Sequence, residues 1–281
     1  MVDFRYHALS LVAVFLALGI GIVLGVTVGD SLVSDADRTL RDSLREDVTE
    51  AREEVRDEQA LASRRDEVIE EASREVADGR LRGIRVGVIA VGELPGSIAD
   101  SVEEAIDMSG GEVARTAVLD PPETPRARAV RRQQRLGRRI GRLVERGGPV
   151  AALRENEPRR FAGNYAGPVG AVLVYRHPPP EADDDEAARE LELREAFEEG
   201  LFEGLRDNVI GVEETDTDPS QVGWYDDQVI ASVDNVDLAA GRLALVLVLQ
   251  EVVLAEITGE RPEGSFGYKD TADQALPDLS D

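Results

Sequence analysis

The residues that could do chemistry in this chain are few. Its histidines are His7 and His177, its methionines are Met1 and Met108, and it has no cysteine. Thiol catalysis, disulfides and zinc ribbons are therefore excluded. The histidines stand far apart in the chain, and neither lies in an HExxH or triad-like context. With no GxSxG and no cysteine there is no evident nucleophile, so the chain reads as a protein that is not an enzyme. Two stretches remain. Asp234, Asn235 and Asp237 fall between a predicted strand and the last predicted helix, the edge where open α/β sheets bind ligands. Asp and Asn also build caps and turns that need no ligand, and Asp237 stands where an N-cap is expected. The segment GELPGS (92–97) turns from a strand into a helix, but it lacks both GxGxxG and a Walker lysine. These residues lead us to expect neither a metal site nor a cofactor.

A third feature is electrostatic. The chain carries 57 acidic and 32 basic residues, a net charge of −25, yet nine arginines and one acid (Glu145) lie between Pro125 and Gly147. An arginine helix of this kind could hold a polyanion or an acidic partner. It could also be neutralised within the chain by Glu181, Asp183, Asp184, Asp185 and Glu186, its long stems covering apolar surface. The overall charge argues against a nucleic-acid role and against binding anionic lipid by the whole surface.

The elements that would position these residues begin with an apolar run. Ala8 to Val28 is uncharged, and at about 1.5 Å per residue such a helix spans about 30 Å, the thickness of a bilayer core. The run is longer than a secretory h-region and no AxA follows, which favours an uncleaved anchor. Arg5 before it and Asp30, Asp35 and Asp37 after it place the body outside the cytoplasm. Ala13, Ala17, Gly21, Gly25 and Gly29 recur every four residues and form a packing face for a second helix. From about 35 to 78 neither Pro nor Gly occurs, and Val48, Val55, Ala62, Ile69 and Val76 repeat every seven residues. That is a coiled-coil seam with a poorly packed middle, since Glu58 and Arg65 fall among its apolar positions; with the small-residue face it predicts a homodimer or higher homo-oligomer, the alternative being a single solvated helix lying on its own domain.

Apolar runs at 84–92, 112–120, 169–176, 208–214 and 229–233 read as strands. They alternate with helices at 96–108, 126–146, 185–206 and 238–257. The expected fold class is α/β: a single N-terminal transmembrane helix, a coiled-coil helix, then a Rossmann-like three-layer domain with a mostly parallel sheet. The expected divisions are an anchor (1–30), a stalk (31–80), an extracytoplasmic α/β domain (81–262) and a C-terminal tail (263–281).

The opening MVDFRYHALSLVAVFLALGIGIVLG resembles the N-terminus of the actinobacterial copper transport protein MctB family. The stretches VIASVDNVDLAAGRLALVLVLQE (229–251) and GSFGYK (264–269) are similar to its C-terminal part. The resemblance implies a cell-membrane or cell-envelope protein of copper transport and copper ion homeostasis, acting in an oligomeric pore or with an envelope partner. It supplies no catalytic residues, and copper enters only through it. Copper(I) prefers Cys and Met ligands and copper(II) imidazole, and this chain is poor in all three. The competing reading is a dimeric coiled-coil scaffold that recruits or regulates cell-wall or division machinery. A third is an envelope ligand-binding protein using the edge at Asp234–Asp237.

Overall fold

The computed structural model describes residues 4–119, 129–150, 159–180, 182–205, 208–228, 230–259, 261–267 and 272–277; within the first helix the side chains of 4–7 and 25–42 are not among those described. The chain divides into two compact units, 1–64 and 65–281.

One helix, α1 (Phe4–Ala77), carries the N-terminal sequence. No Pro or Gly interrupts its charged half, and pairs such as Glu70–Arg74, an i,i+4 contact of 3.1 Å, support it. The expected transmembrane span is corrected here. Among the described residues no helix is long and apolar enough to cross a membrane.

The second unit holds a sheet of seven strands in the order β3-β2-β1-β4-β5-β6-β7. These are β1 (Arg85–Val91), β2 (Glu112–Leu119), β3 (Arg159–Gly163), β4 (Ala171–Arg176), β5 (Val209–Val212), β6 (Ala231–Val233) and β7 (Ser265–Phe266). The helices between them are α2 (Gly96–Met108), α3 (Ala129–Arg146), α4 (Asp185–Gly204), the short α5 (Val222–Asp227) and α6 (Ala239–Thr258). The sheet is mixed but mostly parallel. β3 runs antiparallel to β2 at one edge, while the other neighbours pair in parallel. The sequence reading places no strand there because RRFAG offers a single large apolar side chain, Phe161, to the core.

Two apolar layers follow from the pleat, whose side chains alternate between faces. Val86, Val88 and Ala90 of β1, with Ala171 and Leu173 of β4, pack on Ile98, Val102 and Ile106 of α2 and on Leu245 and Val248 of α6. Ile89 and Val91, with Val172 and Val174, face Ile140 and Val144 of α3 and Phe197 and Leu201 of α4. Ala77 and Leu81, where α1 ends, are fully buried in the first layer.

The helices α3 and α4 lie backbone on backbone. A Cβ on Gly200 would sit 1.9 Å from the Gln134 carbonyl oxygen, and one on Gly137 would sit 2.0 Å from that of Phe197. Gly141 and Gly204, one turn further along, show the same crowding against Leu201 and Arg138. Four glycines at i,i+4 spacing thus set this crossing, because any side chain there would strike main chain.

Candidate functional site

Strands β1, β4, β5 and β6 end on one edge of the sheet, where Glu93, His177, Glu213, Glu214, Asp234 and Asn235 follow them. Strand β1 lies between β2 and β4, so the chain reverses its direction of winding there, and a ligand crevice is expected at that point. What the edge can do depends on which of its polar groups already have partners.

Arg176, the last residue of β4, is 5% exposed. Its Nε and Nη2 donate to the two carboxylate oxygens of Glu198 at 3.0 and 3.1 Å, and Nη1 donates to Gln221 Oε1. Arg194, one turn before Glu198 on α4, adds a bond from Nε at 2.8 Å and reaches the His177 carbonyl with Nη2. The Arg176 guanidinium also lies 4.5 Å from the centre of the Trp224 ring. Glu213 accepts from the Gln221 backbone N–H at 2.6 Å and from Ser220 Oγ at 2.8 Å. Tyr225 Oη accepts from the Arg176 N–H at 3.0 Å and lies 3.0 Å from the Val174 carbonyl it can donate to. Its ring fits against β5 because Gly211 has no Cβ, which would stand 2.5 Å from Tyr225 Cγ. These buried ionic groups neutralise one another, so they join β4, α4 and α5.

Nearby, burial and then the charges of Glu214, Glu213 and Glu93 push the Tyr175 phenol up to about 12. Burial likewise raises Tyr225 far above its ordinary value.

The expected turn residues come together, but in closed positions. Asp234 and Asn235 are almost wholly buried. The Asp234 backbone N–H donates to the Phe266 carbonyl at 3.0 Å, and a Cβ on Gly267 would fall 1.7 Å from Asp234 Oδ1. Asn235 adopts φ +53°, and its carbonyl oxygen would lie 2.0 Å from a Cβ on Gly241. The SVDN turn, the glycine of AAGRL and the GSFG segment are thus one packed unit. Asp237 does not cap α6, whose N-cap is Leu238 without a side-chain bond. Its Oδ1 instead accepts from the Thr215 N–H and Oγ1 at 2.7 and 3.1 Å, tying this turn to the one after β5.

Beside Asn235 lies an apolar cavity of about 310 Å³ lined by Ile69, Ala72, Ser73 and Val76 of α1, by Ala240 and Leu243 of α6, and by C-terminal residues including Leu276. Two of the expected seam residues, Ile69 and Val76, line this cavity of the protein's own domain while remaining partly open to solvent. Val48, Val55 and Ala62 are exposed, as are Ala13 and Ala17 of the small-residue face, and a Cβ on Gly21 would meet nothing within 4 Å beyond its own helix among the described residues. Gly25 and Gly29 lie outside the residues whose surroundings are described.

The expected neutralisation of α3 is partly redirected. Asp184 caps α4 by accepting from the N–H groups of Glu186 and Ala187 at 2.9 and 2.8 Å. Arg138 pairs instead with Glu203, and Arg146 with Glu145 at 3.5 Å. Arg126, Arg128 and Glu181 lie outside the described residues.

Among the described residues, no group of three or more His, Cys, Asp or Glu side chains is arranged to hold a metal ion. Met108 is half-buried against the α2 side of the core, and His177 is exposed at the sheet edge.

A family model described as copper transport outer membrane protein, MctB, matches residues 1–193 and 144–277. The chain belongs to the MctB family. That membership gives it a role in copper transport and a place in the cell envelope. Among curated proteins, none matches the chain. In this MctB-family chain the two motifs of the resemblance near the C-terminus, SVDNVD and GSFG, are the packed turn just described.

Proposed function

We propose that the chain serves copper transport as an assembling component of the envelope, with copper as cargo that the α/β domain does not itself hold. The observation that carries this reading is the closed carboxyl edge of the sheet. Arg176, Arg194, Glu198, Glu213 and Asp237 bond to partners within the fold, at the place where a carrier of this topology would be expected to keep polar groups for a ligand. Soft copper(I) calls for thiolate or thioether, and the one methionine of the domain packs against its core. Transport then depends on further copies of this chain or on an envelope partner, and a pore would be a property of that assembly. No catalytic role is proposed.

The test is gene deletion in the native host. We expect copper hypersensitivity, restored equally by the wild-type gene and by one encoding Met108→Leu with His177→Ala. Failure of that variant, if it accumulates and folds normally, would show that these donors handle copper directly. Normal copper tolerance with altered cell shape or wall integrity would favour the scaffold reading instead.

A further inference from the structure

The arginine helix has a geometry that its composition alone does not reveal. At about 100° per residue, Arg131, Arg142, Arg135, Arg146, Arg139 and Arg132 fall in that order within an arc of about 100°. All six are exposed. The arc lies opposite Gln133, Ile140 and Val144, which are buried. Along the axis the stripe is about 22 Å long at 1.5 Å per residue. Arg131, Arg132, Arg135, Arg139 and Arg142 have no carboxylate within 4.0 Å among the described residues. Arg131–Arg135, Arg135–Arg139 and Arg142–Arg146 are like-charged i,i+4 neighbours, which destabilise a helix. Something outside the helix should therefore compensate the row.

The neighbouring helix carries the opposite charge in the same arrangement. Asp185, Glu192, Glu195, Glu199 and Glu203 of α4 are exposed and fall within an arc of about 80°. They lie opposite Leu193, Phe197 and Leu201, which are buried. The glycine crossing packs α3 and α4 against each other on one face of the sheet, with both stripes turned to solvent away from that contact, and only Arg138 and Glu203 form an ion pair across it among the described residues. A flat anionic surface laid across both helices would meet the carboxylates of α4 as well as the arginines of α3. A partner suited to this face must carry both signs in adjacent rows, and the molecule itself has such a surface.

We propose that the α3–α4 face is a self-association surface on which two copies meet about a two-fold axis, the arginine stripe of each against the acidic stripe of the other. Such an interface is isologous and closed, so it yields a discrete dimer. Being largely polar and exposed at its rim, it is salt-sensitive, since exposed ion pairs contribute little each and are screened. The contact does not depend on copper being the cargo, so its test stands apart from that of the proposed function.

Because the chain has no cysteine, disulfide trapping between full-length chains gives a clean test. Chains carrying Arg139→Cys are mixed with chains carrying Glu195→Cys and oxidised, with Asp107→Cys on α2 as the control partner. We expect the disulfide between positions 139 and 195 to form at least tenfold faster than the control, and to slow to the control rate at high salt. Adding Arg135→Glu and Arg142→Glu to the first chain should abolish the preference. Adding Glu192→Arg and Glu199→Arg to the second chain as well should restore it, which a misfolded variant could not do. A cross-link no faster than the control, or one indifferent to charge reversal, would overturn the proposal. So would binding of the wild-type chain to phosphatidylglycerol vesicles that the Arg135→Glu, Arg142→Glu chain fails to bind.

Discussion

Glu198 is the residue on which the interior charge balance turns. Two guanidinium groups, Arg176 and Arg194, share its carboxylate, and it is 1% exposed. Glu198→Gln should leave two buried cations short of a counter-charge. Breaking a buried pair in this way costs about 3–5 kcal/mol, to be measured by urea unfolding of the full chain. Tyr175 makes a prediction about alkaline pH. Burial and the nearby glutamates raise its folded-state value to about 12 from an ordinary 10. Between these values the unfolded chain gives up the phenolic proton while the folded chain keeps it, so the folded state holds more protons and stability falls as pH rises. The stabilisation is fully present below about pH 10. Tyr175→Phe should flatten the decline of unfolding free energy between pH 10 and 12. An unchanged slope would show that the phenol is not the group responsible.

At the level of elements, the α3–α4 crossing makes the sharpest prediction. Gly200→Ala places a methyl group 1.9 Å from the Gln134 carbonyl, against backbone that cannot rotate away. Overpacking of cores costs about 1–3 kcal/mol, and this site should lie at or above the top of that range. Arg135→Ala, on the exposed side of α3, should stay within about 0.5 kcal/mol of wild type. Thermal unfolding of the two variants side by side distinguishes a packed crossing from a loose one. This crossing was partly legible in the sequence: LGRRIG and GLFEG both carry glycines four apart, the spacing that also drew attention to the N-terminal helix. What sequence does not give is the pairing, since nothing local says that Gly137 meets Phe197. The strands with long apolar runs were legible for the opposite reason, because burial on both faces leaves a continuous hydrophobic record in β1 and β4. The edge strands β3 and β7 are short or half-polar and leave almost none. At the carboxyl edge the sequence marks Asp234, Asn235 and Asp237 as a turn but cannot show that Gly241 and Gly267 close over it. The ionic cluster leaves fainter traces, an arginine ending the run VGAVLVYR and an Arg–Glu pair four apart on α4. Charge is visible in sequence, whereas the partner that permits its burial is not.

For the whole molecule, the division into two units predicts an order of cleavage. The charged part of residues 1–64 is a helix with its described side chains exposed, whereas residues 65–281 own both apolar layers. Helical stability in proteins comes mainly from packing of an apolar face, so the isolated stretch should open locally far more often than the sheet. Limited trypsin digestion should cut first after Arg45, Arg52 or Arg56 and leave a resistant fragment that begins near residue 65. Early cleavage within α4 or α6 would contradict this, and mass spectrometry of the first fragments decides between them. The net charge of −25 belongs to this scale too. It repels copies from one another at low ionic strength, a repulsion that opposed charge rows such as those of α3 and α4 would offset locally.

The stacking of Trp224 under the Arg176 guanidinium has a practical outcome. It is the chain's single tryptophan, and Phe202 and Tyr225 flank it at ring-centre distances of 5.3 and 5.4 Å. The protein therefore carries one indole fluorophore, placed where β4, α4 and α5 are tied together. Its emission, excited at wavelengths that tyrosine does not absorb, reports on that junction without any label, and the N-terminal helix, which has Tyr6 but no tryptophan, does not contribute.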